Sequence, residues 1–134
     1  MINPKELRIG NLVNSAGMVM VVSRIYEDRI FYKEYDPRTL MRHPSDIGAN
    51  PIPLTHELLL KIGADYDDHR PFDEFYDFES YYFECSKLTN VAIHYSHNNK
   101  KFYYPKYEIA PIEYLHQLQN LYFALTGEEL EIKL

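Results

Sequence analysis

Carboxylates are the most concentrated chemical resource in this chain. Between Ala64 and Glu84, eight acids (Asp65, Asp67, Asp68, Asp73, Glu74, Asp77, Glu79 and Glu84) are accompanied by one base, Arg70. Hard divalent cations take several carboxylate oxygens, so this run is the first place to look for calcium or magnesium. The spacing does not supply the site. A calcium loop opening at Asp65 would need glycine at its sixth position and glutamate at its twelfth, and these hold Arg70 and Tyr76. The run reads instead as a solvated segment, or one that protects a sheet edge from pairing with a second molecule. No metal is expected.

The other reactive side chains are scattered. His94 and His97 lie three apart beside a turn, and an extended strand puts such residues on opposite faces, so they make a poor chelating pair. Cys85 is the only cysteine, follows Glu84 and has only Lys87 as a nearby base. That setting disfavours a reactive thiolate and suits a packed thiol. Glu131-Ile132-Lys133 lies in the tail, away from any strand that could carry an active site. No pattern asks for a cofactor. Lys100, Lys101 and Lys106 interleave with Phe102, Tyr103, Tyr104 and Tyr107, and lysines hold phosphates while aromatics stack on bases. Strand parity puts Phe102 and Tyr104 inside, which leaves Lys100, Lys101, Tyr103, Lys106 and Tyr107 as the candidate nucleic-acid contacts. An uncharged strip, His116, Gln119, Asn120 and Phe123, runs along the last helix away from its leucines. Such a strip can line a ligand pocket, meet a partner or dock within the domain. It is the candidate interaction surface, and docking within the domain is the favoured reading of it.

The elements that must position these groups follow from periodicity. Hydrophobic residues make up 46% of the 134 residues, enough to fill an interior, and thirteen Tyr with seven Phe favour strands. Leu7 to Val13, Met18 to Tyr26 and Arg29 to Lys33 read as short strands joined by tight turns, with the middle one long enough to bend. Residues 36–51 form a polar connector punctuated by proline. Thr55 is placed to cap a helix, with Leu54 and Leu59 as a hydrophobic staple and Gly63 at its end. A loop around Asp65 to Asp73 precedes a strand over Phe78 to Cys85. Val91 to Tyr104 reads as a hairpin turning at Asn98-Asn99, with Tyr95 opposite Phe102 and Ile93 opposite Tyr104, so that both strands agree on the apolar face. Pro111 marks the start of the last helix. Along it Leu115, Leu118, Leu121, Tyr122 and Leu125 fall within an arc of about 120°, a buried stripe that Gly127 ends.

Ile9-Gly10-Asn11-Leu12-Val13 followed by a glycine turn resembles the opening of an SH3-like barrel. Glu6 to Val13, Ile52-Pro53-Leu54-Thr55 with the Leu58-Leu59-Leu60-Lys61 helix, and His116 to Leu130 together resemble small uncharacterised proteins of Bacteroidetes genomes and their prophages. That resemblance covers about a quarter of the chain. It implies a mobile-element accessory protein and assigns no residue a role.

The expected fold is α+β: a small barrel-like unit over residues 1–50, then a short helix, an antiparallel sheet and a closing helix over residues 51–134, sharing one core. Net charge is +1 over the first fifty residues and −7 over the rest, a balance that weakens long-range attraction to nucleic acid or anionic lipid. No stretch has the eighteen or so apolar residues needed to cross a bilayer. The lone cysteine suits a reducing cytoplasm. The expected function is that of a non-enzymatic binding or adaptor protein with a protein or small-ligand partner. Two alternatives stand beside it. One is a nucleic-acid-binding module built on Lys100 to Tyr107. The other is a small-ligand-binding protein or enzyme with its pocket near His116 or His94.

Overall fold

A computed structural model describes residues 4–15, 17–26, 30–34, 49–68, 78–84, 90–96, 100–104 and 107–132. The chain is α+β, with two antiparallel sheets and two α-helices. It divides into two compact units. The first comprises Met1–Pro53 with Tyr114–Asn120, and the second Leu54–Glu113 with Leu121–Leu134. Compactness therefore groups the first turns of the final helix with the N-terminal residues, whereas the sequence pattern placed the whole helix in the second half.

The first unit opens with a 3-10 turn, Pro4–Glu6, and carries strands β1 (Leu12–Ser15), β2 (Met18–Ile25) and β3 (Ile30–Glu34) in the order β1-β2-β3. The expected strand over Leu7 to Val13 is shorter than its apolar pattern suggested. Gly10 sits at φ +97 in a turn that the Asn11 N–H closes on the Arg8 carbonyl; its N–H and the Asn11 carbonyl already bond to Val22, and the regular ladder with β2 runs from Leu12. A side chain at that φ would be strained, so the glycine ends the extended run. Strand β2 bends where expected. Its register with β3 shifts at Ser23, whose hydroxyl donates to the Phe31 carbonyl. Val13, Met20, Val22, Ile30 and Tyr32 form the core together with Leu7 and Ala49. The three strands do not close into a barrel among the described residues.

The second unit opens with α1 (His56–Lys61). The Thr55 hydroxyl accepts from the Leu58 N–H, and Gly63 at φ +100 closes the helix while Ala64 and Gly63 donate to Leu59 and Leu60. These are the expected cap and a Schellman ending. Five strands follow in sequential order: β4 (Asp65–Asp68), β5 (Phe78–Glu84), β6 (Asn90–Ser96), β7 (Lys101–Tyr104) and β8 (Tyr107–Ile112). Two of them were not expected. Asp65 to Asp68 was read as loop because acids disfavour strands, yet it pairs with β5 and puts Tyr66 beside Tyr81. It is an edge strand, where charges hinder pairing with another molecule. Pro111 was read as the start of the last helix but lies in β8, the opposite edge, where its missing N–H is tolerated.

The hairpin register holds for the pairs nearest the turn, whereas the expected Ile93–Tyr104 pair is not part of the ladder and Tyr104 is half-buried rather than inside. Tyr95 pairs with Phe102 and His94 with Tyr103, the last described pair being Ser96 with Lys101. Asn98 and Asn99 lie outside the described residues. The final helix, α2, spans Leu115–Thr126. Gln117 accepts from the Tyr114 N–H through its side chain, the reach-back half of a capping box. Leu115, Leu118 and Tyr122 are buried, and Leu121 and Leu125 are half-buried. No helix among the described residues is long and apolar enough to cross a membrane.

Candidate ligand-binding site

The second unit has a cleft of about 350 Å³ over one face of its sheet, lined by Leu54, Thr55, His56, Glu79, Tyr81, Tyr95, Lys100 and Phe102. The ladder explains why these residues meet. Glu79 pairs with Tyr95 and Tyr95 with Phe102, so three adjacent strands contribute one row of side chains to the same face. Tyr66, paired with Tyr81, supplies the neighbouring row from the edge strand. Helix α1 brings its first residue, His56, against Tyr66 and Tyr81 of that second row.

Aromatic rings make up the floor. Tyr81 is 1% exposed, and its ring lies edge-on to Phe102 at 5.8 Å. Tyr95 is half-buried with its ring 4.9 Å from Phe102. His56 stands edge-on to Tyr66 at 4.9 Å, and its Nδ1 is 2.7 Å from the Tyr81 hydroxyl. The Tyr66 hydroxyl donates to Glu79 Oε1. Two phenols thus hold the imidazole and the carboxylate in fixed orientations, as preorganised recognition requires. Lys100 completes the rim. Its backbone is left-handed at φ +57, and its N–H donates to the Ser96 carbonyl.

Comparison with protein-family models, with curated proteins and with solved structures finds no match.

The strip singled out on the last helix lies elsewhere and is largely internal to the first unit. Gln119 is buried. Its Oε1 accepts from the Leu12 N–H at 2.8 Å and its Nε2 donates to the Gly10 carbonyl at 3.2 Å, so one side chain satisfies both backbone groups as a neighbouring strand would. Asn120 Oδ1 accepts from Arg8 Nε and from Asn11 Nδ2, each at 2.9 Å, while its Nδ2 donates to the Glu6 carbonyl at 2.7 Å. His116 is fully buried, stacks on Tyr114 and places Nε2 3.3 Å from Glu6 Oε2. Its Nδ1 has no hydrogen-bond partner among the described residues. Burial pulls its pKa below the ordinary imidazole value, against the opposing pull of Glu6. His116 and Gln119 are buried, Asn120 is half-buried, and their side-chain hydrogen bonds run to residues 6–12, so the strip docks its own N-terminal segment. Phe123 differs from them in being 40% exposed.

The candidate nucleic-acid contacts separate. Lys100 lines the cleft, whereas strand alternation puts Lys101 and Tyr103 on the other face, where Lys101 lies 3.9 Å from Glu113. Lys106 and the side chain of Tyr107 lie outside the described residues, as do His97 and Cys85. His94 is half-buried between Ser80 and Tyr103 on that same opposite face, so it does not reach the cleft. Among the described residues, no three His, Cys, Asp or Glu side chains gather as metal ligands. The cleft's histidine is His56, which the sequence presented only as an ordinary helical position. The usable signal was strand parity. Extending the hairpin register across to residues 78–84 aligns Glu79 with Tyr95, but nothing local announces the helix above them.

Proposed function

We propose that the chain is a non-enzymatic binding protein and that the cleft under His56 is its recognition site. The observation that carries this reading is the convergence of an imidazole, a carboxylate and an ammonium on an aromatic floor within one cleft. Small-ligand sites combine a mostly apolar lining with a few placed polar groups in volumes of about 300–1,000 Å³. The pairing of His56 favours binding over catalysis. A catalytic imidazole is usually oriented by a carboxylate that strengthens it as a base, whereas His56 Nδ1 meets the hydroxyl of a buried tyrosine. The divergence of Lys100 and Lys101 weighs against the nucleic-acid alternative. The likeness to Bacteroidetes and prophage proteins adds a role as a mobile-element accessory, working in the reducing cytoplasm that a lone cysteine suits, with an SH3-like relationship for the first unit.

The chain has no tryptophan, so a single introduced indole reports its own site without background. Tyr95→Trp places the reporter in the cleft and Tyr103→Trp places it on the opposite face. Titration with a collection of small aromatic compounds should produce saturable emission changes only in Tyr95→Trp. Equal responses at both positions, or none at Tyr95→Trp, would contradict the assignment.

A further inference from the structure

We infer that the cleft selects a planar aromatic molecule carrying one anionic group, a carboxylate or a phosphate, at its Lys100 end. This rests on the reading of the cleft as a binding site and adds the chemistry of what it takes. The floor sets the first requirement. Tyr95 and Phe102 lie with their ring planes tilted by 52°, and the Tyr81 ring is edge-on to Phe102. A flat ring laid on Tyr95 gains stacking and edge contacts that a saturated ring of the same size does not.

The rim sets the second requirement. Lys100 and Lys101 are adjacent, but their charges are disposed differently. Lys101 has Glu113 beside it on the far face. The Lys100 side chain is exposed and has no ion pair or hydrogen bond among the described residues, while its backbone is fixed by the bond to Ser96. It is a cation held at the mouth of an aromatic cleft. His56 adds a second polar contact. With Nδ1 occupied by Tyr81, its Nε2 is the nitrogen left for a ligand, and it carries the proton when the tyrosine hydroxyl is the donor. Glu79 flanks Tyr95 from the other side and repels a second anion there. The site is therefore polar along one direction, with the anion at the hairpin end and the ring over Tyr95.

Four probes separate these requirements in ligand-detected NMR titrations of the full chain: phenylacetate, phenyl phosphate, neutral phenylacetamide and non-aromatic cyclohexylacetate. Phenylacetate should bind in the millimolar range expected of a fragment with about ten heavy atoms. Phenylacetamide should bind about five-fold more weakly, the scale of one solvent-exposed ion pair. Cyclohexylacetate should be about three- to ten-fold weaker, the scale of an aromatic pair. Lys100→Met should erase the gap between phenylacetate and phenylacetamide, and Lys101→Met should preserve it. Comparison of phenylacetate with phenyl phosphate assigns the anion as carboxylate or phosphate, and a preference either way supports the inference. An amide that binds as well as the carboxylate, or a gap that survives Lys100→Met, would overturn the inference and leave the cleft as a site for neutral aromatics. If all four probes fail while the Tyr95→Trp reporter responds to other compounds, the inference is likewise overturned. If that reporter is also silent, the cleft is not a binding site.

Discussion

Replacing Gln119 by Ala removes, with one side chain, the acceptor for the Leu12 N–H and the donor to the Gly10 carbonyl. The two losses are unequal. Leu12 is 3% exposed, so its N–H is stranded away from water, and an unsatisfied buried donor costs about 1–3 kcal/mol. Gly10 is half-exposed, and water can take over its carbonyl at little cost. Losing the buried methylene of the side chain adds about 0.8 kcal/mol. The total is roughly 2–4 kcal/mol. With a urea dependence of about 2 kcal/mol per molar, the midpoint of unfolding should fall by about 1–2 M. Gln119→Leu keeps the volume and removes only the hydrogen bonds, so it should retain most of the loss. Amide exchange gives the local readout, because the Leu12 N–H should lose protection in both variants before the rest of β1 does. If both variants stay within about 0.5 kcal/mol of the parent, the ordinary range for surface changes, the docking role of this side chain is wrong.

Other perturbations follow from the same structure. Leu118 is fully buried in α2, and truncation to Ala should cost about 2–5 kcal/mol by chemical denaturation; a stable variant would contradict the core assignment. Thr55→Ala should cost about 1 kcal/mol through loss of the bond to the Leu58 N–H, whereas Thr55→Ser should retain most of it. His116 makes folding pH-dependent. Burial lowers its pKa in the folded state, so between that value and the ordinary 6.5 the unfolded chain binds more protons, and stability falls as pH falls through this window. Unfolding midpoints taken from pH 7.5 to 5.5 should show a shallower decline in His116→Gln than in the parent; parallel curves would exclude the effect.

Local rules were enough wherever one face of an element was apolar. Matched parity fixed Tyr95 against Phe102, and the Thr55 cap and Gly63 stop bounded α1, because each depends on residues a few positions apart. The misreadings came where a distant ladder overruled local preference. Asp65 to Asp68 is acidic, yet it is held as a strand by β5. Pro111 suggested a helix start, yet an edge strand tolerates it. Gly10 cut short a strand whose apolar alternation continued through it. The amides of the last helix were visible as an uncharged strip, but their partners Gly10, Leu12 and Arg8 lie more than a hundred positions away. The cleft was hidden for the same reason, since a helix residue, His56, becomes part of it only after the sheet has assembled.

The most direct test of the cleft as the recognition site is intermolecular nuclear Overhauser transfer from bound phenylacetate to the protein's aromatic protons. Tyr95 and Phe102 share the face that lines the cleft, and Tyr103 stands on the other. Transfer from the phenylacetate ring to Tyr95 and Phe102, with none to Tyr103, is the expected result. Transfer to Tyr103, or to ring protons outside the second unit, would contradict the account.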